Sequence, residues 1–178
     1  GGVPDENLTP IDAVKFAAAY GFWLKNHVHK TRIKVVVGRD ARLSGEMVQN
    51  LVQYTLIGLG IDVVDLGLST TPTVEVAVTM EQADGGIILT ASHNPKQWNA
   101  LKLLNNQGEF LNAQEGEEIL RIAADNSAVF AEVDALGTLS HNDTYIQRHI
   151  DAALSLLPLA TIEAIRQRHF RVVVDAVN

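Results

Sequence analysis

Cysteine, an excess of positive charge and long apolar runs are all missing from this 178-residue chain. Without cysteine it has no disulfide framework, no thiolate nucleophile and no cysteine-based metal site. Its 14 basic and 21 acidic residues give a net charge of −7, which disfavours nucleic acid or an anionic membrane as the main partner. No apolar run reaches membrane-spanning length, and the Gly-Gly-Val-Pro start is not a signal peptide. We therefore expect a cytoplasmic protein that binds neither nucleic acid nor membrane.

What the chain does contain is an alternation of apolar strand-like runs and helical patterns, with 47% hydrophobic residues in all. The order β-α-β-α-β with short connections indicates a parallel sheet covered on both faces. A fourth run, 101–104, is expected to lie antiparallel at one side. We predict a three-layer α/β/α fold with a mainly parallel sheet and one antiparallel strand. The predicted strands are 33–37, 61–66, 86–89 and 101–104, and the predicted helices are 10–26, 45–58, 71–82, 113–125, 143–157 and 162–167.

The organisation of the chain changes after Gly137. A helix capped by Asp143 and a second short helix are followed by residues 170–175, which read as a good strand close to the last residue. We divide the chain into a first domain, 1–140, and a truncated segment, 141–178, and expect it to continue in a longer parent protein. We expect this segment either to dock on the first domain or to pair its terminal strand with another copy in a homodimer, because an unpaired strand edge invites partners.

The sequence T-A-S-H-N-P at residues 90–95 directly follows the predicted buried strand 86–89. Ligands of open α/β sheets bind at the carboxyl ends of the strands, so Ser92 is a candidate functional hydroxyl, although an ordinary loop serine is an open alternative. Lys102 returns ten positions later, at the start of the next apolar run. A hydroxyl that accepts and donates a phosphoryl group needs a proton carrier and a nearby cation, and lysine supplies both.

Two arginines lie in the predicted turn at residues 38–45, after the first strand. Arg39 and Arg42 are able to present guanidinium groups to a phosphate. They are equally able to pair with Asp40 and Asp65 and so brace the turn. The sequence leaves both roles open.

Three further positions are expected to shape this region. Gly38 permits a sharp exit from the strand, and Ser44 is placed to cap the helix that follows. Trp98 either packs within the loop or lines a substrate cleft.

Three ordered segments of the chain resemble the α-D-phosphohexomutases, the family of phosphoglucomutase, phosphomannomutase and phosphoglucosamine mutase. Residues 90–102 are similar to the family's phosphoserine loop, T-[AG]-S-H-N-P followed by N-G-[FI]-K, with Ala100 where glycine is common. Residues 38–45 resemble its G-[RT]-D-x-R-x-S-G turn, and residues 65–73 its D-x-G-x-x-x-T-P segment. On these matches the chain is identified as a member of the family, covering well under half of a family enzyme.

The resemblance implies a reaction and a set of residues that carry it. Family enzymes transfer a phosphoryl group from a serine to a hexose phosphate, interconverting hexose 1-phosphate and hexose 6-phosphate through a bound bisphosphate. Hexose 1,6-bisphosphate is the implied primer. Ser92 is then the phosphoryl carrier, Lys102 the proton shuttle and His93 a catalytic neighbour. The implied substrate-binding residues are Asn94, Arg39, Arg42 and Trp98.

The resemblance also implies a magnesium ion bound by Ser92 through its phosphate. The family's other metal ligands are aspartates of a second domain, to whose start 141–178 is similar, and this chain has no such loop. Its sugar-recognition and phosphate-binding loops belong to further domains, so glucose, mannose and glucosamine phosphates all remain open. The chain alone is expected to fold but not to catalyse the reaction.

Two alternatives come from other functional classes. A serine hydrolase needs a base oriented towards Ser92, whereas His93 shares its tight loop and no G-x-S-x-G motif is present. A non-catalytic sugar-phosphate-binding or assembly module is the stronger alternative. Phosphate on Ser92 separates the module from the enzyme.

Overall fold

The computed structural model describes residues 1–175, which form a five-stranded sheet between two groups of helices. Along the chain the elements are α1 (Pro10–His27), β1 (Ile33–Arg39), α2 (Gly45–Gly58), β2 (Ile61–Leu68), α3 (Thr71–Met80), β3 (Gly85–Leu89), β4 (Leu101–Leu104), α4 (Ala113–Asp125), a 3₁₀ turn (Val133–Ala135), β5 (Leu139–His141), α5 (Tyr145–Ser155) and α6 (Leu159–Gln167). The strand order is β4-β3-β1-β2-β5. Only the β3–β4 pair is antiparallel among these neighbours. The predicted three-layer fold is confirmed.

The central strand β1 shows why both faces of the sheet are covered. Val35 and Val37 belong to the larger apolar cluster, together with residues of α1, α2 and α4. Val36, between them, belongs to a second cluster on the other face, with residues of α3 and α5. Successive strand side chains point to opposite faces, so a continuous valine run is stable only when helices cover both.

The sheet topology brings the predicted functional segments to one edge. The chain passes from β1 to β2 on one side and then returns to β3 on the other. Arg39 at the end of β1 is in register with Leu89 at the end of β3. The Asp40 N–H donates to the Leu89 carbonyl at 3.0 Å, so the two following loops leave the sheet side by side. A reversal of strand order of this kind forms the crevice in which α/β proteins bind ligands.

One strand of the sheet escapes sequence prediction. The short β5 pairs in parallel with β2 from Val63 to Asp65, and it contains a serine and a histidine that give no apolar alternation. It forms because the edge of β2 offers unpaired backbone groups.

At residues 170–175 the prediction of a strand is wrong. These residues adopt no strand, and Val172, Val173 and Val174 are exposed. A strand is stable only when its backbone groups have a neighbouring strand, and none of the five described strands pairs with this segment. The domain boundary at 140/141 stays a prediction.

Two smaller features complete the description. Helix α5 begins at Tyr145 with Thr144 at its N-cap, one residue later than the predicted cap at Asp143, and Thr144 makes no side-chain capping bond. Within residues 1–175, no helix combines the length and the apolar character needed to cross a membrane.

Candidate active site

The side chains of Ser92 and Lys102 meet at the carboxyl edge of the sheet. β3 delivers Ser92 on the loop that follows it, and the antiparallel pairing of Leu89 with Leu101 places Lys102 next to that loop. The Lys102 Nζ donates a hydrogen bond to Ser92 Oγ at 2.8 Å. Ser92 is exposed and Lys102 is partly buried. The hydroxyl therefore has a proton donor in contact and an open approach for a ligand.

Ser92 adopts a strained backbone conformation. Its φ of 54° lies in the left-handed region, which costs a residue other than glycine about 1–3 kcal/mol. Hydrogen bonds hold it from both sides: its N–H donates to Thr90 Oγ1 at 3.1 Å, and its carbonyl accepts from Arg42 Nη2 at 2.9 Å. Strain maintained by the surrounding structure is typical of functional sites.

Arg42 spans the space between the two loops. Its Nε donates to Asp40 Oδ2 at 3.1 Å, and the remaining guanidinium N–H groups donate to carbonyls of the Ser92 loop. These acceptors are the carbonyl oxygens of Pro95 (2.7 Å), Trp98 (2.9 Å), Ser92 (2.9 Å) and Asn94 (2.8 Å). Arg42 thus braces the site, the second of the two roles that its sequence allows, and keeps no N–H group for a substrate phosphate in this conformation.

Arg39 is less committed than Arg42. Its Nε donates to Gln49 Oε1 at 2.8 Å and its Nη1 to the Asp40 carbonyl at 3.1 Å. Within residues 1–175, Nη2 has no hydrogen-bond acceptor, so Arg39 retains donors for a ligand. The expected pairing of an arginine with Asp65 does not form, because Gln49 Nε2, the Gly67 N–H and His141 occupy that carboxylate instead.

Gly38 and Ser44 reach their positions for reasons that differ from the predictions. Gly38 lies inside β1, where a Cβ would come within 2.6 Å of a Val74 methyl group, so close packing rather than a turn requires glycine. Ser44 is the N-cap residue of α2 but makes no side-chain capping bond. Its Oγ accepts instead from Asn99 Nδ2 at 3.0 Å, which ties the first turn to the Ser92 loop.

The other predicted site residues surround Ser92 without contacting its hydroxyl. The exposed His93 makes no side-chain hydrogen bond within residues 1–175. Asn94 Nδ2 donates to the Ala91 carbonyl at 2.9 Å and so closes the loop. Trp98 is half-buried, and its assignment to loop packing or to the substrate cleft stays a prediction.

Sequence reasoning missed several residues that support the loop. Asn99 is fully buried, and its main chain pairs with Gly2. The Phe110 ring lies beneath Lys102, with Nζ 5.8 Å from the ring centroid. Asn99 had a signal, because it belongs to the quoted N-G-[FI]-K pattern, whereas nothing near Phe110 in the sequence connects it with Lys102.

The residues described here do not complete a metal site. Within residues 1–175, no group of three or more histidine or acidic side chains is arranged to hold a metal ion. The carboxylate of Asp40, on the neighbouring loop, pairs with Arg42. A hard cation prefers several oxygen ligands, and the described residues by themselves do not bring such a set together.

Comparisons with known proteins identify the family to which the chain is related. Residues 1–129 match the family described as phosphoglucomutase/phosphomannomutase, alpha/beta/alpha domain I. A phosphoglucomutase/phosphomannomutase of Thermococcus kodakarensis is 36% identical over 177 residues, covering 99% of this chain and 38% of the relative. A phosphoglucosamine mutase of Ligilactobacillus salivarius is 36% identical over 141 residues, covering 78% of this chain and 31% of the relative.

A solved structure is similar as well. The crystal structure of a phosphoglucomutase/phosphomannomutase family protein from Burkholderia thailandensis superposes with a TM-score of 0.69 at 25% identity, over 83% of this chain and 32% of that one. The chain spans less than two fifths of the length of these relatives. The family match nevertheless covers well over half of its residues. The chain therefore belongs to the phosphoglucomutase/phosphomannomutase family, with residues 1–129 as its α/β/α domain I.

Proposed function

We propose that this chain is the phosphoserine-bearing part of a phosphohexomutase, an isomerase that interconverts hexose 1-phosphate and hexose 6-phosphate through a bisphosphate. The hydrogen bond from Lys102 Nζ to Ser92 Oγ, 2.8 Å long and on an exposed and strained loop, carries this proposal. Family membership supports the class of reaction.

Ser92 and Lys102 account for the proton balance on the serine side of each transfer. In the first transfer the sugar hydroxyl releases its proton to solvent, a P–O bond to the sugar forms and the P–O bond to Ser92 breaks. Lys102 then gives its proton to the departing Ser92 Oγ, which avoids a free alkoxide. In the return transfer Ser92 Oγ gives that proton back to neutral Lys102 as it takes the other phosphoryl group, and the sugar oxygen regains a proton from solvent.

The neighbouring residues are proposed to bind the substrate. Arg39 has guanidinium donors left for a phosphate, and His93, Asn94 and Trp98 lie on the same loop as Ser92. None of them reads the identity of the sugar by itself. The proposal therefore covers glucose, mannose and glucosamine phosphates alike.

Magnesium and hexose 1,6-bisphosphate belong to the proposal as cofactor and primer. A bound magnesium ion would neutralise charge on the phosphoryl oxygens. This chain contributes to it only the phosphate on Ser92, so its remaining ligands must come from outside residues 1–175. We likewise propose a cytoplasmic location, and pairing of two copies through residues 141–178 stays a prediction.

The test is the phosphorylation state of Ser92 in the complete enzyme that this proposal implies. After exposure to glucose 1,6-bisphosphate and Mg²⁺, intact mass and peptide mapping should find one phosphoryl group on Ser92. A Ser92→Ala variant should carry none, and the matched surface variant Ser155→Ala should carry one. An unphosphorylated Ser92 in an enzyme that binds sugar phosphates would favour the non-catalytic module instead.

The 178-residue chain alone should not interconvert glucose 1-phosphate and glucose 6-phosphate. The resemblance assigns the sugar-recognition and phosphate-binding loops, which would hold a substrate hydroxyl in line, to further domains, and such positioning supplies about 7–11 kcal/mol of barrier reduction. A coupled assay with Mg²⁺ and a bisphosphate primer measures this. Turnover at ordinary enzyme rates would show that the active site has been assigned to the wrong residues.

A further inference from the structure

The loop that carries Ser92 is folded around a single cation. Four of its main-chain carbonyls, from Ser92 to Trp98, point at the guanidinium of Arg42. Carbonyl dipoles that converge on one point repel each other unless a positive charge with matching donors lies between them. The path of this loop therefore depends on the guanidinium.

Arg42 is itself held rigidly in place. Its side chain is only 11% exposed, although it is charged. Asp40 accepts from the Arg42 main-chain N–H at 3.1 Å through one carboxylate oxygen and from Arg42 Nε at 3.1 Å through the other. The Asp40 N–H is in turn fixed to the end of β3 through the Leu89 carbonyl. The position of the guanidinium is thus fixed relative to β3, the strand that precedes Ser92.

The direction of the Ser92 hydroxyl follows from this arrangement. A serine at positive φ relaxes to a more ordinary conformation unless its flanking peptide groups are held. Arg42 holds the Ser92 carbonyl, and Thr90 holds the Ser92 N–H. The Oγ then faces Lys102.

We propose that Arg42 is a positioning residue for phosphoryl transfer, which aims Ser92 Oγ through the loop's main chain and does not bind the sugar phosphate. This inference rests on the proposed function for its catalytic consequence, and on the hydrogen bonds alone for its geometric one. It separates the two arginines of the turn: Arg39 keeps donors for a ligand, and Arg42 has none left.

The number of donors makes lysine a poor replacement. A lysine ammonium has three N–H groups without the planar fork of guanidinium, so it cannot satisfy five acceptors spread around one plane. A free guanidinium ion, in contrast, has the geometry to fill the space left by Arg42→Ala. Chemical rescue is therefore expected for the alanine variant.

The geometric consequence is tested on the 178-residue chain by amide hydrogen exchange. The N–H groups of Asn94 and Trp98 make hydrogen bonds within the loop, to the Ala91 and Pro95 carbonyls. Their protection should fall in Arg42→Lys and stay unchanged in Arg121→Lys, an exposed surface control. Unchanged protection in Arg42→Lys would overturn the proposal.

The catalytic consequence is tested on the complete enzyme. In Arg42→Lys, kcat should fall by about 10²-fold, the usual effect of a misplaced reacting group, whereas KM for the hexose phosphate should change by less than about twofold. Millimolar guanidinium should restore part of kcat in Arg42→Ala. A raised KM with kcat unchanged would identify Arg42 as a phosphate ligand and overturn the proposal.

The two arms also separate this inference from the proposed function. Faster loop exchange in Arg42→Lys, combined with an inactive unmodified enzyme, would reject the mutase and keep the role of Arg42 in shaping the loop. Normal exchange and full turnover in Arg42→Lys would reject the role of Arg42 in shaping the loop and keep the mutase. If Arg42→Lys does not fold, Asp40→Asn provides the same test. This variant weakens the pairing that holds Arg42 and should give an intermediate loss of protection from hydrogen exchange.

Discussion

The two ends of the parallel strands use polar groups in opposite ways. At the carboxyl end, Arg42 donates hydrogen bonds to main-chain carbonyls, and Ser92 stays exposed with Lys102 beside its hydroxyl. At the amino end, charged side chains pair with one another. Asp84, 5% exposed, accepts from the Lys34 N–H at 3.0 Å and from Lys30 Nζ at 2.5 Å.

The amino end also fastens helix α5 to the sheet. Tyr145 Oη donates to Glu81 Oε1 at 2.7 Å, and Lys34 Nζ donates to Glu81 Oε2 at 3.2 Å. Burial, together with the hydrogen bond to Glu81, raises the pKa of Tyr145 to about 12. Burial alone would raise the pKa of Glu81, but the hydrogen bonds from Tyr145 and Lys34 outweigh it and hold that pKa below its ordinary value.

The difference lies in what the polar groups hold. Those at the amino end join helices and strands, whereas those of Arg42 at the carboxyl end hold a loop whose serine hydroxyl stays accessible. A reacting group has to remain accessible, so its surroundings are rigid while it keeps an open approach. We therefore expect substitutions of the accessible groups, Ser92 and Lys102, to change activity with little effect on stability, and substitutions at the amino end to do the opposite.

The largest expected effect is that of Ser92→Ala. Removing the proposed phosphoryl carrier should lower mutase turnover in the complete enzyme by at least about 10³-fold, as for other covalent carriers. The melting temperature should stay close to that of the unmodified protein, because the side chain is exposed. Coupled-assay rates and thermal unfolding measure the two quantities, and normal turnover in Ser92→Ala would contradict the mechanism.

Lys102→Met should have the second largest effect. Positioned proton carriers typically contribute about 10²–10⁴-fold, so turnover should fall by that factor. The control is Lys96→Met, which removes an exposed lysine of the same loop and should leave the rate unchanged. Equal losses in the two variants would mean that general positive charge, and not the contact with Ser92, is what matters.

Glu81→Gln probes the amino end. At neutral pH it should lower the free energy of unfolding by about 1 kcal/mol, the usual value of a hydrogen bond, while turnover stays normal. Because the folded pKa of Glu81 is lowered, the contribution of its carboxylate is present above the ordinary value of 4.5 and is lost as the pH falls through the folded pKa.

Urea unfolding at neutral pH and below pH 4.5 tests this sign. The difference in free energy of unfolding between the unmodified protein and Glu81→Gln should become smaller in acid. Glu163→Gln, on the exposed face of α6, should show no gap at either pH. A gap that widens in acid would refute the assignment.

The last prediction concerns a helix cap outside both networks, whose expected effect is no larger than that of Glu81→Gln. Asn112 accepts from the Glu115 N–H at 3.0 Å, and the Glu115 carboxylate accepts from the Asn112 N–H at 2.8 Å. Asn112→Ala should cost about 1 kcal/mol of stability and no activity. Asn106→Ala, in an exposed turn, is the control in thermal unfolding, and equal losses in both would argue against a capping role.

Much of the fold was predictable because its core elements carry strong local patterns. The strands β1 to β4 and the helices α1 to α4 lie where apolar periodicity and turn residues place them. The strand β5 was not predictable, since its three residues form a strand only by pairing with β2. For the same reason residues 170–175, with a strong strand pattern, remain without strand structure among the described residues.

The candidate site likewise contains residues that the sequence predicts and residues that it does not. The spacing of Ser92 and Lys102, each tied to a strand end, predicted two residues that the structure brings into contact. The role of Arg42 was left open, because the choice between phosphate binding and bracing depends on which acceptors lie within reach. Phe110 had no local signal at all, since its contact with Lys102 exists only in the folded chain.

The sequence by itself determined the layers, the parallel strands and the serine at a strand end, because hydrophobic periodicity and turn chemistry are properties of neighbouring residues. The tertiary structure alone decided how the loops share their polar groups. Arg42 donates to the carbonyls of a loop fifty or more positions away, and Asp65 accepts from Gln49 and Gly67 and pairs with His141 instead of an arginine. Such pairings depend on distances across the sheet edge, which are set only when the strands have packed in register.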